Sequence, residues 1–344
     1  MNPEKPVVGE VHRFESNSGA RIYRIVCDAF PGFLANIYLL LEAGPPTIID
    51  TGSGFGESNA QLLSGLDQVR SEFGESVTLA DVQRIIITHG HIDHFGGLAA
   101  LHARAPQAEI AIHELDMRIL TAFEERVAVA TKAIRGFLQE AGVEGAMLES
   151  FLDLYGFSKK NVRSLPVARA LVDNQELDGL RFIHTPGHCP GQVCIAVGDV
   201  LLSADHILPE ISPHQAPESI MPYTGLGHYL ESLDKIGQMG GFDLALGGHQ
   251  APIRDVYKRI AEIRKGHLRK LEKVLVIIGQ SPQPLTTQQI SEQLYTHVRG
   301  FHVLLALEEV AAHVEYLYQH GKLTIANLDE YQREENPPIR YVVA

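Results

Sequence analysis

A dense group of histidine and aspartate residues directly follows a short apolar run, and this feature most constrains the fold of the chain. The run is Arg-Ile-Ile-Ile-Thr at 84–88, typical of a strand buried on both faces. The group after it comprises His89, His91, Asp93 and His94. These side chains cannot share one face of a helix, because residues 89, 91 and 93 point in different directions there. A tight loop at the end of a strand can direct all four toward one point.

The residue types in this group indicate a metal centre. Imidazole nitrogen and carboxylate oxygen are suitable ligands for zinc, whereas thiolates more often complete a structural zinc site. The chain has 17 histidines but three cysteines (Cys27, Cys189 and Cys194), which form no Cys-x-x-Cys pair. Neither a disulfide framework nor a cysteine zinc site is therefore supported. Gly90 lies within the group and allows the backbone to turn closely.

Length and charge narrow the class of protein. A chain of 344 residues can form one domain of about 250 residues and a smaller one. The formal net charge of −13 disfavours nucleic acid as a partner, because binding to phosphates usually requires a basic surface. The N-terminal segment is polar and interrupted by prolines, and apolar runs such as 274–279 are too short to cross a bilayer. We expect a cytoplasmic protein with no membrane partner.

Strand and helix patterns alternate along most of the chain. Leucine spacing predicts a helix at 57–73, and residues 115–160 have the pattern of a helical insertion. Apolar stretches indicate strands within 21–50 and at 84–88, 109–113, 170–173, 180–185, 193–198 and 199–205. This order predicts two sheets packed together with helices outside.

The stretch Thr-His-Gly-His-Ile-Asp-His-Phe-Gly-Gly at 88–97 resembles the His-x-His-x-Asp-His signature of the metallo-β-lactamase superfamily. Stretches that resemble its other motifs follow in the expected order and contain Asp50, His188, Asp205 and His249. The resemblance covers roughly residues 20–255. It implies an α/β fold, the αββα sandwich of that superfamily, in a catalytic domain of residues 1–254 with the helical insertion at about 115–160.

The resemblance also implies a role for each motif residue. The implied ligands are His89, His91 and His188 for one metal ion, Asp93, His94 and His249 for the other, and Asp205 for both. Asp50 would support the site through hydrogen bonds. We expect two divalent ions, zinc by preference, with iron and manganese as alternatives for the same ligands.

Such a site implies hydrolysis of a small molecule. A hydroxide shared by the two ions would attack the carbonyl of an ester, thioester or lactone. Asp93 is the expected catalytic residue, which orients the nucleophile or passes a proton to the leaving group. His91 stands where the oxygen- and nitric-oxide-reducing relatives have glutamate, and Asp205 stands where antibiotic-hydrolysing relatives often have cysteine. The alternative is a phosphodiesterase or endonuclease that acts on RNA or single-stranded DNA with the same metal site.

Residues 255–344 are expected to form a separate winged-helix-like domain. Helical patterns at 256–278, 287–296 and 303–320 precede two strand-like segments around a polar loop, an order typical of a winged helix. This region resembles an extension found on one branch of the superfamily that includes endoribonuclease-like proteins.

Charge in this region argues against a nucleic-acid role. The third helix contains Glu308, Glu309 and Glu315 and no lysine or arginine, so it should repel phosphate. We therefore expect it to serve in packing, in walling the pocket or in a homodimer contact. The preceding helix carries basic residues that are candidates to bind an anionic substrate such as a coenzyme A ester: Lys258, Arg259, Arg264, Lys265, Arg269 and Lys270.

Several further residues near the motifs are candidates for supporting roles. Tyr223 and His228 are candidate substrate contacts. His184, two residues before Pro186, is expected to support the loop that carries His188. Cys189 is expected to be a small buried residue rather than a ligand.

Overall fold

The computed structural model describes residues 6–157 and 162–344 of the chain. Residues 1–5 of the polar N-terminal segment and 158–160 of the predicted insertion lie outside the described residues. The strands are β1 Val11–Glu15, β2 Arg21–Phe30, β3 Phe33–Leu41, β4 Thr47–Ile49, β5 Arg84–Ile87, β6 Glu109–His113, β7 Arg169–Leu171, β8 Glu176–Leu177, β9 Leu180–His184, β10 Val193–Val197, β11 Val200–Ala204, β12 Leu244–Gly247, β13 Leu285–Thr286, β14 Leu323–Ile325 and β15 Arg340–Val343. The helices are α1 Ser58–Phe73, α2 Ile92–Phe95, α3 Leu98–His102, α4 Met117–Thr121, α5 Phe123–Glu140, α6 Gly145–Phe157, α7 Leu226–Met239, α8 Val256–Gln280, α9 Thr287–Leu294, α10 Phe301–Gln319 and α11 Leu328–Arg333.

The chain forms two compact units from interleaved segments. The first unit comprises Met1–Phe123, Val162–Pro213 and Ser232–Ile260, and the second comprises Glu124–Asn161, His214–Glu231 and Ala261–Ala344. The domain boundary expected at residue 254 stays a prediction. Within the described part of the chain, no helix combines the length and the apolar character needed to span a membrane.

Two sheets form the first unit in the part of the chain that the structure describes. One sheet has the order β1-β2-β3-β4-β5-β6-β7, and its strands are antiparallel up to β4 and parallel from β4 onward. The other has the order β12-β11-β10-β9-β8, with β11 and β12 parallel and the other neighbours antiparallel. Because parallel strands end at the same edge of a sheet, the polar loops after β4, β5 and β6 lie side by side.

The core of the first unit lies between these two sheets. Ile22 and Ile86 of one sheet and Phe182 and Ile195 of the other are fully buried in one apolar cluster. The outer face of the first sheet is covered by α1, where a Cβ on Gly65 would lie 2.3 Å from Ile25 Cγ2. The predicted packing of two sheets with helices outside is confirmed.

The second unit contains the antiparallel sheet β13-β15-β14 and a helical core. Residues of α5, α6 and α10, including Leu138, Phe151 and Leu304, pack in this core. The predicted polar loop between β14 and β15 differs from the structure, because it contains α11. Asp329 lies in the first turn of α11 and Arg333 in its last turn, an arrangement favourable to the helix dipole. The winged-helix interpretation and the homodimer stay predictions.

The glutamates of α10 hold the segment at 214–219 of the same unit. Glu308 Oε2 lies 2.7 Å from His214 Nε2, and Glu309 Oε2 accepts a hydrogen bond of 3.1 Å from the backbone N–H of Gln215. Glu315 accepts hydrogen bonds of 2.6 and 3.0 Å from the backbone N–H groups at 218 and 219. Glu308 and Glu309 are buried. Two of the three glutamates therefore do not face solvent, and the expectation that this helix repels phosphate stays a prediction.

Candidate metal centre

The structure brings the predicted ligands together in the first unit. We define His89, His91 and His188 as the first ligand group, and Asp93, His94 and His249 as the second ligand group. One ligand atom from each member of a group lies within 4.8 Å of the others, and the same holds for His89, His94 and Asp205. Four separated stretches of sequence therefore meet at one place.

Asp205 lies at the centre of this arrangement. Its Oδ2 is 3.6 Å from His188 Nε2 of the first ligand group and 3.2 Å from His249 Nε2 of the second. Its Oδ1 is 3.4 Å from His94 Nε2. Asp93 Oδ2 lies 3.4 Å from His249 Nε2. One carboxylate thus faces imidazoles of both groups.

A single helical turn carries two of the ligands. The predicted loop after β5 extends only to His91, which is the N-cap of α2, and Asp93 and His94 lie in α2 itself. Gly96, directly after α2, packs so closely that a Cβ there would lie 2.0 Å from Ser53 O. Glycine is required at this position because backbone, which cannot move aside, occupies the space.

Asp50 supports the second ligand group through hydrogen bonds. Its Oδ1 accepts a hydrogen bond of 2.8 Å from the backbone N–H of Thr88, and its Oδ2 accepts one of 2.8 Å from Thr88 Oγ1. Oδ2 also lies 2.8 Å from His94 Nδ1. When His94 Nδ1 donates to this carboxylate, Nε2 is left to face Asp205. Asp50 holds this position with φ of 62°, and such backbone strain is concentrated at functional sites.

Residues of β3 hold the loop of His249, and sequence reasoning missed them. His249 Nδ1 lies 2.6 Å from Leu34 O, so that Nε2 faces the two carboxylates. Asn36 Nδ2 and Tyr38 OH both donate to Gly247 O, at 3.0 and 2.6 Å. The sequence signal that could have identified them is the pair of polar side chains, Asn36 and Tyr38, at alternate positions of the otherwise apolar strand β3.

The loop of His188 is held by the neighbouring histidines. His184 Nε2 lies 2.7 Å from Pro190 O, and its ring stacks on His113 at 4.0 Å.

Cys189 is buried, with its Sγ 3.4 Å from Asp116 Oδ2. Asp116 is a further supporting residue that sequence reasoning missed.

Electrostatics at the centre favour a positive charge. Burial opposes protonation of His249, but Asp205 and Asp93 outweigh it and raise the pKa of His249 to about 10. Burial likewise opposes protonation of His94, and Asp205 and Asp50 raise its pKa well above the usual value. Burial lowers the pKa of His91 to about 3. The carboxylates of Asp50, Asp93 and Asp205 therefore favour a positive charge at His94 and His249. A metal cation bound by these imidazoles would supply that charge in place of the protons.

Buried polar atoms in the centre lack well-directed hydrogen bonds. Among the described residues, His94 Nε2, His249 Nε2 and Asp205 Oδ1 have no hydrogen-bond partner of acceptable geometry. Buried polar groups of this kind are almost always satisfied in proteins. Atoms that converge from three separate segments of the chain and remain unsatisfied fit a metal ion, because each is a good ligand for zinc.

A further group of potential ligand atoms lies in the second unit, at His267, Glu309 and His313. Lys270 Nζ lies 2.6 Å from Glu309 Oε1. His313 Nδ1 lies 2.6 Å from Glu309 O, and its Nε2 lies 3.2 Å from His267 Nδ1. Lysine already supplies the positive charge that the carboxylate requires, so this group forms a hydrogen-bonded network rather than a second metal site.

Replacing the Glu309 carboxylate tests whether His267, Glu309 and His313 form a hydrogen-bonded network rather than a metal site. Burial raises the pKa of Glu309, but the Lys270 ammonium outweighs it and lowers this pKa to about 2. We expect Glu309→Gln to lower the free energy of unfolding by about 1–3 kcal/mol, because it leaves the Lys270 ammonium, whose side chain is 28% exposed, without its carboxylate partner. Chemical denaturation measures the loss, with the exposed Glu335→Gln as control. The metal content of the folded variant should equal that of the wild type, and a lower content would contradict the assignment.

The candidate substrate contacts lie in the second unit. Tyr223 is 47% exposed and has φ of 68°. Its ring lies 6.0 Å from that of His228, whose Nε2 is 3.1 Å from Glu218 Oε1. Contact of Tyr223 and His228 with substrate stays a prediction.

Comparison with known proteins places this site in a family. The sequence profile of the metallo-β-lactamase superfamily matches residues 31–274. The chain belongs to the metallo-β-lactamase superfamily. The predicted metallo-β-lactamase fold is thereby confirmed, and so is the prediction of a metal-dependent hydrolase.

Individual proteins resemble the chain over most of its length. The probable metallo-hydrolase YqjP of Bacillus subtilis (strain 168) is 23% identical over 302 residues, which cover 84% of this chain and 89% of that protein. A metallo-β-lactamase family protein of Thermus thermophilus, TTHA1429, has a structure that matches with a TM-score of 0.74 at 26% identity, over 94% of this chain and 98% of that one. A β-lactamase domain protein from Burkholderia ambifaria matches with a TM-score of 0.74 at 24% identity, over 98% and 95% of the two chains.

Proposed function

We propose that this metallo-hydrolase binds two divalent ions and cleaves an ester, thioester or lactone of a small molecule. The observation that carries the proposal is the position of Asp205, which lies within 3.6 Å of His188 and within 3.2 Å of His249. These imidazoles belong to different ligand groups. A carboxylate between two sets of imidazoles suits two ions with a shared ligand better than a single ion.

The ligand types favour zinc. Nitrogen from histidine and oxygen from aspartate suit zinc, while the same set also accepts iron or manganese. When bound, a pair of such ions supplies an activated water and stabilises negative charge on the substrate oxygen. The first ligand group together with Asp205 would hold one ion, and the second ligand group together with Asp205 would hold the other.

The chain's own residues supply orientation and proton transfer. The carboxylate of Asp93 is 14% exposed, more than that of Asp205 at 9%, so it is the acidic ligand more accessible to substrate. We assign Asp93 the role of accepting the proton of the attacking water and delivering it to the leaving group. The ring of Phe33 packs on the imidazole of His249 at a centroid distance of 4.3 Å.

The net charge of the protein and the contacts of its basic side chains favour a carbonyl substrate over a phosphodiester. Arg259 donates to the backbone oxygens of Leu208 and Ile211, at 2.6 and 2.9 Å. Lys270 is bonded to Glu309. Two of the basic residues expected to bind an anion are therefore engaged within the protein, and the net charge is −13. The net charge and the pairing of Lys270 with Glu309 weaken attraction to a polyanion, whereas the hydrogen bonds of Arg259 to neutral carbonyl oxygens do not cancel its charge.

Metal analysis and a substrate panel test the proposal. The metal content of protein purified without chelator is measured, and activity is assayed with a chromogenic ester, a thioester, a lactone and a phosphodiester. We expect two ions per chain and the highest kcat/KM on a carbonyl compound. His249→Ala should lose an ion, whereas His302→Ala, at an exposed histidine of α10, should not. Cleavage of the phosphodiester alone, weakened by added salt, would establish the alternative function instead.

A further inference from the structure

A fully buried aspartate joins the two loops that carry the first ligand group. Asp116 lies three residues beyond the end of β6 and is 0% exposed. Its Oδ2 accepts a hydrogen bond of 2.8 Å from the backbone N–H of Gly90, the residue between His89 and His91. Its Oδ1 accepts one of 3.0 Å from the backbone N–H of Gly191, three residues after His188.

The thiol of Cys189 adds a third contact to the same carboxylate. Its Sγ lies 3.4 Å from Asp116 Oδ2, and Cys189 directly follows His188. One side chain therefore receives hydrogen bonds from both loops, at the residue between His89 and His91 and at two residues that follow His188. A buried carboxylate with such donors fixes their positions strongly, because hydrogen bonds to a charged group are short and strong.

Glycines allow this close approach from both loops. A Cβ on Gly191 would lie 2.6 Å from Asp116 Cγ and 2.9 Å from its backbone nitrogen. A Cβ on Gly90 would lie 2.0 Å from Ile119 Cδ1 and 3.3 Å from Asp116 Oδ2. Both loops thus pack directly on the turn that carries Asp116, and a side chain at either glycine would force that turn away.

We infer that Asp116 is a positioning residue that sets the separation of His89 and His91 from His188, and so sets the affinity of the first ligand group for its ion. This inference rests on the proposed two-ion function. Asp50 differs from Asp116, because it contacts His94 of the second ligand group and also Thr88, whose Oγ1 lies 3.1 Å from His89 Nδ1 of the first. The contacts of Asp116 with Gly90, Cys189 and Gly191 belong to the loops of the first ligand group, so its replacement should affect chiefly the ion of that group.

Asparagine at position 116 keeps the shape of the side chain but replaces one acceptor oxygen with an N–H donor. Whichever way the amide turns, a donor faces the backbone N–H of Gly90 or of Gly191. Both N–H groups lie in the buried interior, where a lost acceptor is costly. One of the loops must shift, and the distance between the histidines of the first ligand group changes.

Variants that are designed to bind only one of the two ions give the sharpest test. Asp93→Ala is designed to leave only the first ligand group occupied, and His188→Ala only the second. The zinc dissociation constant of each background is measured by competition with a chromogenic chelator, with and without Asp116→Asn. We expect Asp116→Asn to weaken zinc binding about 10–100-fold in the Asp93→Ala background, as is usual for residues that orient a ligand. In the His188→Ala background the constant should change by less than about twofold, because a supporting residue affects chiefly the ion whose ligands it orients.

The controls separate positioning from a general loss of stability. Glu75→Gln changes another hydrogen-bonded carboxylate, whose partners are Arg21 and Tyr23 rather than the ligand loops, and should leave both constants unchanged. Should Asp116→Asn not fold, Gly191→Ala displaces the same carboxylate from the opposite side and should weaken the same ion. Equal weakening of both ions, or of neither, would overturn the inference while the two-ion function stands. A wild-type protein without bound metal would overturn both.

Discussion

Asp205→Asn is expected to abolish activity and to remove most of the bound metal. The change removes the charge of the carboxylate that faces His94, His188 and His249 within 3.6 Å. Loss of a residue that merely orients a ligand costs about 10–100-fold, so the loss of a shared ligand should lower kcat/KM by more than about 10³-fold. Metal analysis should find less than one ion per chain.

The control for this experiment is Asp67→Asn, whose side chain is 79% exposed and far in sequence from every ligand. It should keep two ions and full activity. Circular dichroism shows whether Asp205→Asn remains folded. A folded Asp205→Asn protein that retains two tightly bound ions would contradict the role of this residue as a shared ligand.

Asp93→Ala is expected to abolish turnover while one ion remains bound. Asp93 contacts His249 of the second ligand group at 3.4 Å, so the second ion should be lost first. The conservative Asp93→Asn keeps a ligand oxygen but cannot accept a proton. It should retain more metal than Asp93→Ala and still lose about 10²–10⁴-fold in kcat, the usual contribution of a general acid or base.

Steady-state kinetics and metal analysis on the same samples distinguish the two roles of Asp93. Activity of Asp93→Asn near that of the wild type would exclude proton transfer and leave only metal binding. Full activity of Asp93→Ala would remove Asp93 from the mechanism altogether. The exposed Asp67→Asn serves again as the matched control.

The grouping of the predicted ligands could be anticipated from the sequence because several of them follow a strand closely. His89 comes two residues after β5, Asp205 directly after β11 and His249 two residues after β12. A strand ends where its apolar pattern ends, so both the strand and the ligand next to it are visible in a short stretch of sequence. The buried pattern of β5 agrees with the apolar run that predicted it.

Three supporting residues, Asp116, Asn36 and Tyr38, could not be predicted because their partners are distant along the chain. Asp116 appeared to begin the helical insertion, but its carboxylate accepts hydrogen bonds from Gly90 and from Gly191, 75 positions away. Asn36 and Tyr38 interrupt a strand that otherwise reads as apolar, and their partner Gly247 lies more than 200 positions away. No local pattern specifies such pairs.

Charge was also a poor guide to exposure in the second unit. Glu308 and Glu309 occur together on a helix, a pattern that usually indicates a solvated face. Their burial depends on Lys270, on His214 and on the backbone N–H of Gln215, which the fold brings to α10. The acidic composition of this helix therefore says little about whether the protein repels a polyanion.

The ligand loops belong to different layers of the sandwich. His89 follows a strand of one sheet, whereas His188 and His249 follow strands of the other. Each ion would therefore link the two sheets at the edge where the ligand loops lie. Since anything that binds only the folded state stabilises it, loading with metal and resistance to unfolding should be linked properties of this enzyme.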